Sequence, residues 1–285
     1  MGESTGAMSL DALLRGAPAR SADTKTALRR LVGLVLGGGW PASLDADVPL
    51  RFQYIRDYLG EIQRADIQLL DHTRRDPQLV GRLLRALARH TATYASTTTI
   101  VADTDTGSGT LARETVRDYL QALARLMIVE DQPAWAPHLR SRSILRSGAK
   151  RHFVDPSLAA AALVADEQRL LQDLNLFGLL FESLVVRDLR IYAQATHGQI
   201  LQYRDNTGLE IDAIVELGDG QWGAFEIKLG NDGIDAGAAA LHRFVERIDL
   251  TKCGAPAVIG VITGSGYGYV REDSVAVIPI TALGP

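Results

Sequence analysis

Near residue 176 the chain changes period. Upstream, apolar residues recur at the spacing of one helix face; downstream, after one more helix, they fall into short runs divided by turn residues. That last helix is expected from about Leu176 to Ala195. Strands are expected at Ile200–Tyr203, Glu210–Leu217, Trp222–Leu229, Val258–Thr263 and Val275–Ile280, separated by turn signals at Asn206–Gly208, Gly218–Gly220 and Gly264–Gly268. Between the third and fourth strands, Ala236–Ile248 reads as a helix with Leu241, Phe244, Val245 and Ile248 inward. Through the fourth strand the order is α-β-β-β-α-β.

The upstream half is helical, so the chain is α+β overall. Phe52, Ile55, Leu59, Ile62 and Leu69 fit one amphipathic helix over about 50–70, and Leu79–His90 forms another behind Asp76–Pro77. After a short apolar stretch near Ile100 and a polar loop from Asp103 to Gly109, a helix over about 111–127 turns Val116, Leu120, Leu123 and Met127 inward and leaves Arg113, Arg117 and Asp118 in water. This is a helix-turn-helix layout, and Ile128–Val129, the turn at Asp131–Pro133 and Trp135 suit the hairpin wing of a winged helix. A plain helical bundle reads equally well on pattern alone. The opening segment holds only Leu10, Leu13 and Leu14, then Leu31–Leu36 and a glycine-rich Gly37–Trp40, and little core of its own. Three regions result: 1–49, a helical 50–155, and 156–285.

The net charge of −4 conceals an asymmetry: residues 1–155 carry 21 Lys and Arg against 17 Asp and Glu, and residues 156–285 carry 9 against 17. Phosphate binding needs clustered cations, so contact with DNA is expected through the first half. The most basic stretch, Leu139–His152, contains Arg140, Arg142, Arg146, Lys150 and Arg151 with no acid; it suits phosphate contact or a solvated loop beside an acidic neighbour. The single Cys253 allows no internal disulfide or thiolate cluster and points to a reducing compartment. No apolar run reaches the roughly 18 residues of a membrane span, and the N-terminus lacks the order of a signal peptide, so the expected location is the cytoplasm.

On the helix over 176–195, Ser183, Arg187 and Arg190 share one face, and Glu182 shares the opposite, apolar face with Gly178, Val185, Val186 and Leu189. A carboxylate there needs a cation, either a metal ion or a lysine. Residues two apart in a strand point the same way, so Glu210 and Asp212 share a face, as do Glu226 and Lys228. Asp212 lies seven residues before Asp219 and Glu226 seven after, so a hairpin there brings the two together. Carboxylates on neighbouring strands suit Mg²⁺ or Mn²⁺, whereas zinc is disfavoured without clustered Cys and His. Such an ion polarises a phosphate and acidifies a bound water, and Lys228 could hold that water or offset developing negative charge. The plain alternative is a salt bridge of Lys228 with Glu226 or Asp212.

Six stretches together resemble the C-terminal region of bacterial and archaeal AAA-type ATPases, which joins a winged helix to a PD-(D/E)XK nuclease-like domain. They are YIRDYLGEIQRADI (54–67), TVRDYLQALARLMIVEDQPAW (115–135), KRHFVDPSLAAAAL (150–163), FGLLFESLVVRDL (177–189), YRDNTGLEIDAIVE (203–216) and AFEIKLG (224–230). The resemblance implies Glu182, Asp212, Glu226 and Lys228 as the catalytic set, with Asp212, Glu226, Glu182 and Glu210 as ligands to Mg or Mn. It also implies an ATPase core elsewhere in the same full-length protein, residues 1–49 being similar to the segment that follows such a core. No G-x-x-x-x-G-K-[ST] occurs, so no nucleotide site is expected here. Two departures stand out: Ser157 where the family has glycine, and the long Asp103–Gly109 loop. The function implied is a DNA-associated module with a metal-dependent nuclease-type site, compatible with a homo-oligomer and without a membrane; the rival is a catalytically silent nuclease fold serving as a scaffold.

Overall fold

The structure is a computed structural model that describes residues 4–70, 74–107, 109–137 and 148–285. The strands among them are β1 (Met8–Ser9), β2 (Val129–Gln132), β3 (Lys150–Phe153), β4 (Gln199–Arg204), β5 (Glu210–Glu216), β6 (Trp222–Lys228), β7 (Val258–Thr263), β8 (Tyr269–Val270), β9 (Ala276–Pro279) and β10 (Leu283–Gly284). With the helices they make an α+β chain, as expected.

Two compact units form, and their segments alternate along the sequence. A helical unit comprises Arg29–Asp131 and Lys150–Leu184; a sheet unit comprises Met1–Leu28, Gln132–Ala149 and Val185–Pro285. The expected boundaries at 49/50 and 155/156 therefore give way to an interleaved arrangement. Local period cannot reveal this, because membership of a unit depends on contacts distant in sequence.

In the helical unit, two of the long helices begin at a side-chain cap. The Leu50 N–H donates to Asp47 at 2.9 Å and the Gln78 N–H to Asp76 at 2.8 Å, each cap being followed by a proline within the first two helical positions. The helix expected over 50–70 forms as Val48–Glu61, a π turn at Ile62–Asp66 and a short α segment, Ile67–Leu69. The wider turn shifts the face presented after it. Ile67 is thereby buried, and Leu69, expected inward, is 72% exposed.

Helices Pro77–Arg89, Thr97–Asp103 and Arg113–Arg125 pack on one another, and β2 pairs with β3. The unit is therefore mixed rather than all-helical, and the hairpin expected to turn at Asp131–Pro133 is replaced by β2 running on to Gln132 and pairing with β3. Two details differ from expectation. Met127 is not on the inner stripe: the Ile128 N–H donates to the Leu123 carbonyl and the Met127 N–H to that of Ala124, closing the helix with Met127 left-handed (φ 54°) and exposed. Trp135 is not part of the wing but belongs to the core of the sheet unit. After β3, Asp155 caps helix Pro156–Ala162 by accepting the Ser157 N–H, and it also accepts the Gly39 N–H, both at 2.9 Å. Ser157 gives a role to its departure from the family's glycine, since its hydroxyl accepts the Trp40 indole N–H at 3.0 Å.

The long helix Leu174–Ala193 supplies residues to both units. The face that Ser183, Arg187 and Arg190 share is largely enclosed. Ser183 is buried and hydrogen-bonded to Thr91 (3.1 Å) and His152 (2.9 Å), and burial lowers the Arg190 guanidinium to about 10.

The sheet unit is built on six strands in the order β4-β5-β6-β7-β9-β8. The first three form antiparallel hairpins, β6-β7-β9 run parallel, and β8 is an antiparallel edge. Helix Ile234–Arg247 makes the crossover from β6 to β7, and packs Ile234, Ala238, Leu241 and Phe244 into a core with Trp135, Trp222 and Val261. β8 escapes sequence reading because it is two residues long and both are exposed. The N-terminal segment, expected to lack a core, is built into this unit. β1 pairs in parallel with β10, and Leu10, Leu13 and Leu14 are fully buried.

Candidate functional site

The β5–β6 ladder pairs Glu216 with Trp222, Val215 with Gly223, Ile214 with Ala224 and Ala213 with Phe225. This register is symmetric about Asp219, as counted from the sequence, and one further step sets Asp212 opposite Glu226. At that point the Asp212 carboxylate replaces the ladder: its Oδ2 accepts the Ile227 N–H at 3.0 Å. Lys228 Nζ lies 2.6 Å from Glu226 Oε2 and 3.7 Å from Asp212 Oδ2. The side chains of Glu226 and Asp212 are 7% and 14% exposed and that of Lys228 is 31% exposed, so a partly open ammonium faces two largely desolvated carboxylates.

The crossover helix sits close over this group because glycines allow it. A Cβ on Gly237 would come within 3.0 Å of Val261 and 3.3 Å of the Glu226 Cβ, and one on Gly233 within 3.0 Å of the Lys228 stem. The stems of Glu226 and Lys228 are thus clamped between sheet and helix, with the charged ends projecting from the carboxyl end of β6. On the parallel neighbour, Thr263 pairs with Lys228 and its buried hydroxyl donates to the Ser265 carbonyl at 3.0 Å. Sequence reading passed over Gly233, Gly237 and Thr263. The four-residue glycine spacing on a helix was the available signal for the first two.

Of the four residues proposed as catalytic, three meet: Asp212, Glu226 and Lys228. Glu182 lies in the helical unit, where its Oε1 is 2.5 Å from Lys150 Nζ, so the partner its burial demanded is a lysine. Glu210, expected as a metal ligand, makes a cross-strand ion pair with Arg204 at 3.1 Å. Among the described residues, no three or more His, Cys, Asp or Glu converge as a metal-binding group. The donor set still suits a hard cation of the Mg²⁺ type, which takes one or two carboxylates and fills its other positions with water and phosphate.

The residues expected to contact nucleic acid separate into groups. Arg113 and Arg117 are exposed, four apart on helix Arg113–Arg125, and have no hydrogen bond or ion pair among the described residues. Lys150 is 3% exposed and committed to Glu182, and Arg151 is paired with Asp131 at 2.9 Å. Neither is placed as an open phosphate contact: β3 turns Lys150 inward, and the neighbouring acid takes Arg151. Arg140, Arg142 and Arg146 lie outside the described residues.

An α+β chain with a helical unit that carries a two-stranded sheet, and with a carboxylate–lysine cluster at the end of the larger sheet, is therefore the class defined. Comparison with protein families agrees with the two-part organisation. Residues 177–283 match the family model of a domain of unknown function (DUF4143), a domain found C-terminally in AAA-ATPase-associated proteins, and residues 28–169 match that of a second domain of unknown function (DUF8612). No curated protein and no solved structure matches the chain. No helix among the described residues is long and apolar enough to cross a membrane.

Proposed function

We propose that this chain is the DNA-associated module of a protein with an AAA-type ATPase core, and that its sheet unit carries a Mg²⁺- or Mn²⁺-dependent phosphodiesterase site of the PD-(D/E)XK type. The observation that carries the reading is the convergence of Asp212, Glu226 and Lys228 where the β5–β6 ladder ends. Asp212 and Glu226 would hold the cation. When bound, it supplies Lewis-acid polarisation of the phosphate and a more acidic water. Asp212 is aimed by the Ile227 N–H, and Glu226, nearly buried, is paired with the adjacent ammonium. Lys228, with its stem clamped under Gly233, presents Nζ where it can orient the attacking water and offset charge on the phosphate oxygens. The exposed Arg113 and Arg117 suit contact with the DNA backbone, and the single cysteine suits the cytoplasm.

Plasmid nicking tests this. With Mg²⁺ or Mn²⁺ the wild type converts supercoiled to open-circular DNA, and Asp212→Ala or Lys228→Ala lowers the rate by about a hundredfold or more. Equal rates in wild type and variants would remove the assignment. A silent scaffold is the second reading, and the tight Lys228–Glu226 pair favours it because the ammonium already neutralises a carboxylate. On that reading calorimetry detects no divalent-ion binding; binding lost in Glu226→Ala excludes it.

A further inference from the structure

Within the helical unit, an open cavity of about 640 Å³ is lined by Arg56 from helix Val48–Glu61 and by Arg82 and Arg85 from helix Pro77–Arg89, together with the amide side chains Gln63 and Gln78. No carboxylate lines it among the described residues. The three guanidiniums are not alike. Arg82 is fixed in place, its Nε and Nη2 donating to the Thr104 carbonyl at 2.9 and 2.7 Å and Nη2 also donating to the Gly109 carbonyl. Arg56 and Arg85 are exposed and have no hydrogen bond or ion pair among the described residues. Two uncompensated cations and one that is neutralised by no acid face the same concave space. Such a space concentrates anions, and guanidinium forks match the paired oxygens of phosphate.

Two irregularities of the backbone border the cavity. Gln63 belongs to the π turn Ile62–Asp66, a helix form common at functional positions. On the rim, Val164 holds φ at 53°, a left-handed conformation that a β-branched residue rarely adopts. The volume lies in the range of small-ligand sites.

We propose that this cavity is a phosphate-binding site, taking the phosphate groups of a small phosphorylated molecule or of a nucleic-acid backbone through Arg56, Arg82 and Arg85. The site is separate from Asp212, Glu226 and Lys228, requires no divalent ion, and does not depend on the nuclease reading. Titration calorimetry of the full chain in EDTA at low salt, with inorganic pyrophosphate and separately with a short single-stranded oligonucleotide, tests it. The expected result is binding of at least one probe that weakens about ten- to hundredfold in Arg56→Gln and in Arg85→Gln and is unchanged in Arg243→Gln, an exposed arginine of helix Ile234–Arg247 in the sheet unit. Binding of pyrophosphate identifies a small phosphorylated ligand, whereas binding of the oligonucleotide alone with the same dependence identifies a nucleic-acid backbone. Arg56 and Arg85 hold nothing else in place, so the variants fold, and circular dichroism checks that they do. Absence of binding by either probe, or binding indifferent to both substitutions, overturns the proposal.

Discussion

Single residues show how far charge is committed inside this molecule. Lys150 and Glu182 form a pair that is 3% and 12% exposed, so removing one partner strands the other in a dry setting. Lys150→Met is expected to lower stability by about 3–5 kcal/mol, and the double variant Lys150→Met/Glu182→Leu to recover most of it; urea denaturation measures both. Asp205 presents a smaller case. Burial works to raise its carboxyl, but hydrogen bonds from Thr207, Arg247 and the Leu209 N–H outweigh that and hold it below its ordinary 3.8. Its folded value is depressed, so the stability it contributes is complete above 3.8 and is lost as pH falls through the folded value. Asp205→Asn is accordingly expected to lower stability by about 1–2 kcal/mol near pH 7 and by much less near pH 3, which denaturation at the two pH values checks.

At the scale of elements, capping decides where helices stop. Helix Pro156–Ala162 ends with the Ala165 N–H on the Ala160 carbonyl (2.9 Å) and the Val164 N–H on that of Ala161 (3.0 Å), the six-to-one and five-to-two pattern that favours glycine at the left-handed position. Here that position is Val164, 48% exposed and contributing little burial. Val164→Gly is expected to raise stability by about 0.5–1.5 kcal/mol in thermal or urea unfolding, the relief of left-handed strain exceeding the added chain entropy. No loss of binding in the arginine-lined cavity should accompany it, because the change removes only an apolar rim group. The hairpin β5–β6 was legible in sequence for a related reason: its turn, at Asp219–Gly220 with Gly220 at φ 85°, makes the register a matter of counting.

For the molecule as a whole, interleaving is the governing property. The sheet unit is completed by Leu10, Leu13 and Leu14 from the N-terminal segment and by Trp135, which stacks 4.7 Å from Trp222 and donates its indole N–H to Glu216 at 2.5 Å. A fragment of residues 156–285 lacks all of these. It is expected to be aggregated or molten, with weak near-ultraviolet circular dichroism, while the full chain unfolds cooperatively. A well-folded fragment would show that these segments are dispensable. In the full chain, Trp135→Ala should cost about 3–5 kcal/mol.

What the sequence determined by itself is what depends on near neighbours: the helical first half, the α-β-β-β-α-β order, the helix start at Asp76–Pro77, and the placing of Asp212 opposite Glu226 with Lys228 beside them. These follow from period, turn chemistry and spacing, each complete within about 20 residues. Only the tertiary structure decided that Glu182 is answered by Lys150, that Glu210 turns to Arg204, that Trp135 leaves the wing for the sheet core, and that residues 4–28 are part of that unit. In each of those cases a buried charge or apolar surface needed a partner. Its residue type announced the need, and packing between distant segments chose which residue would meet it.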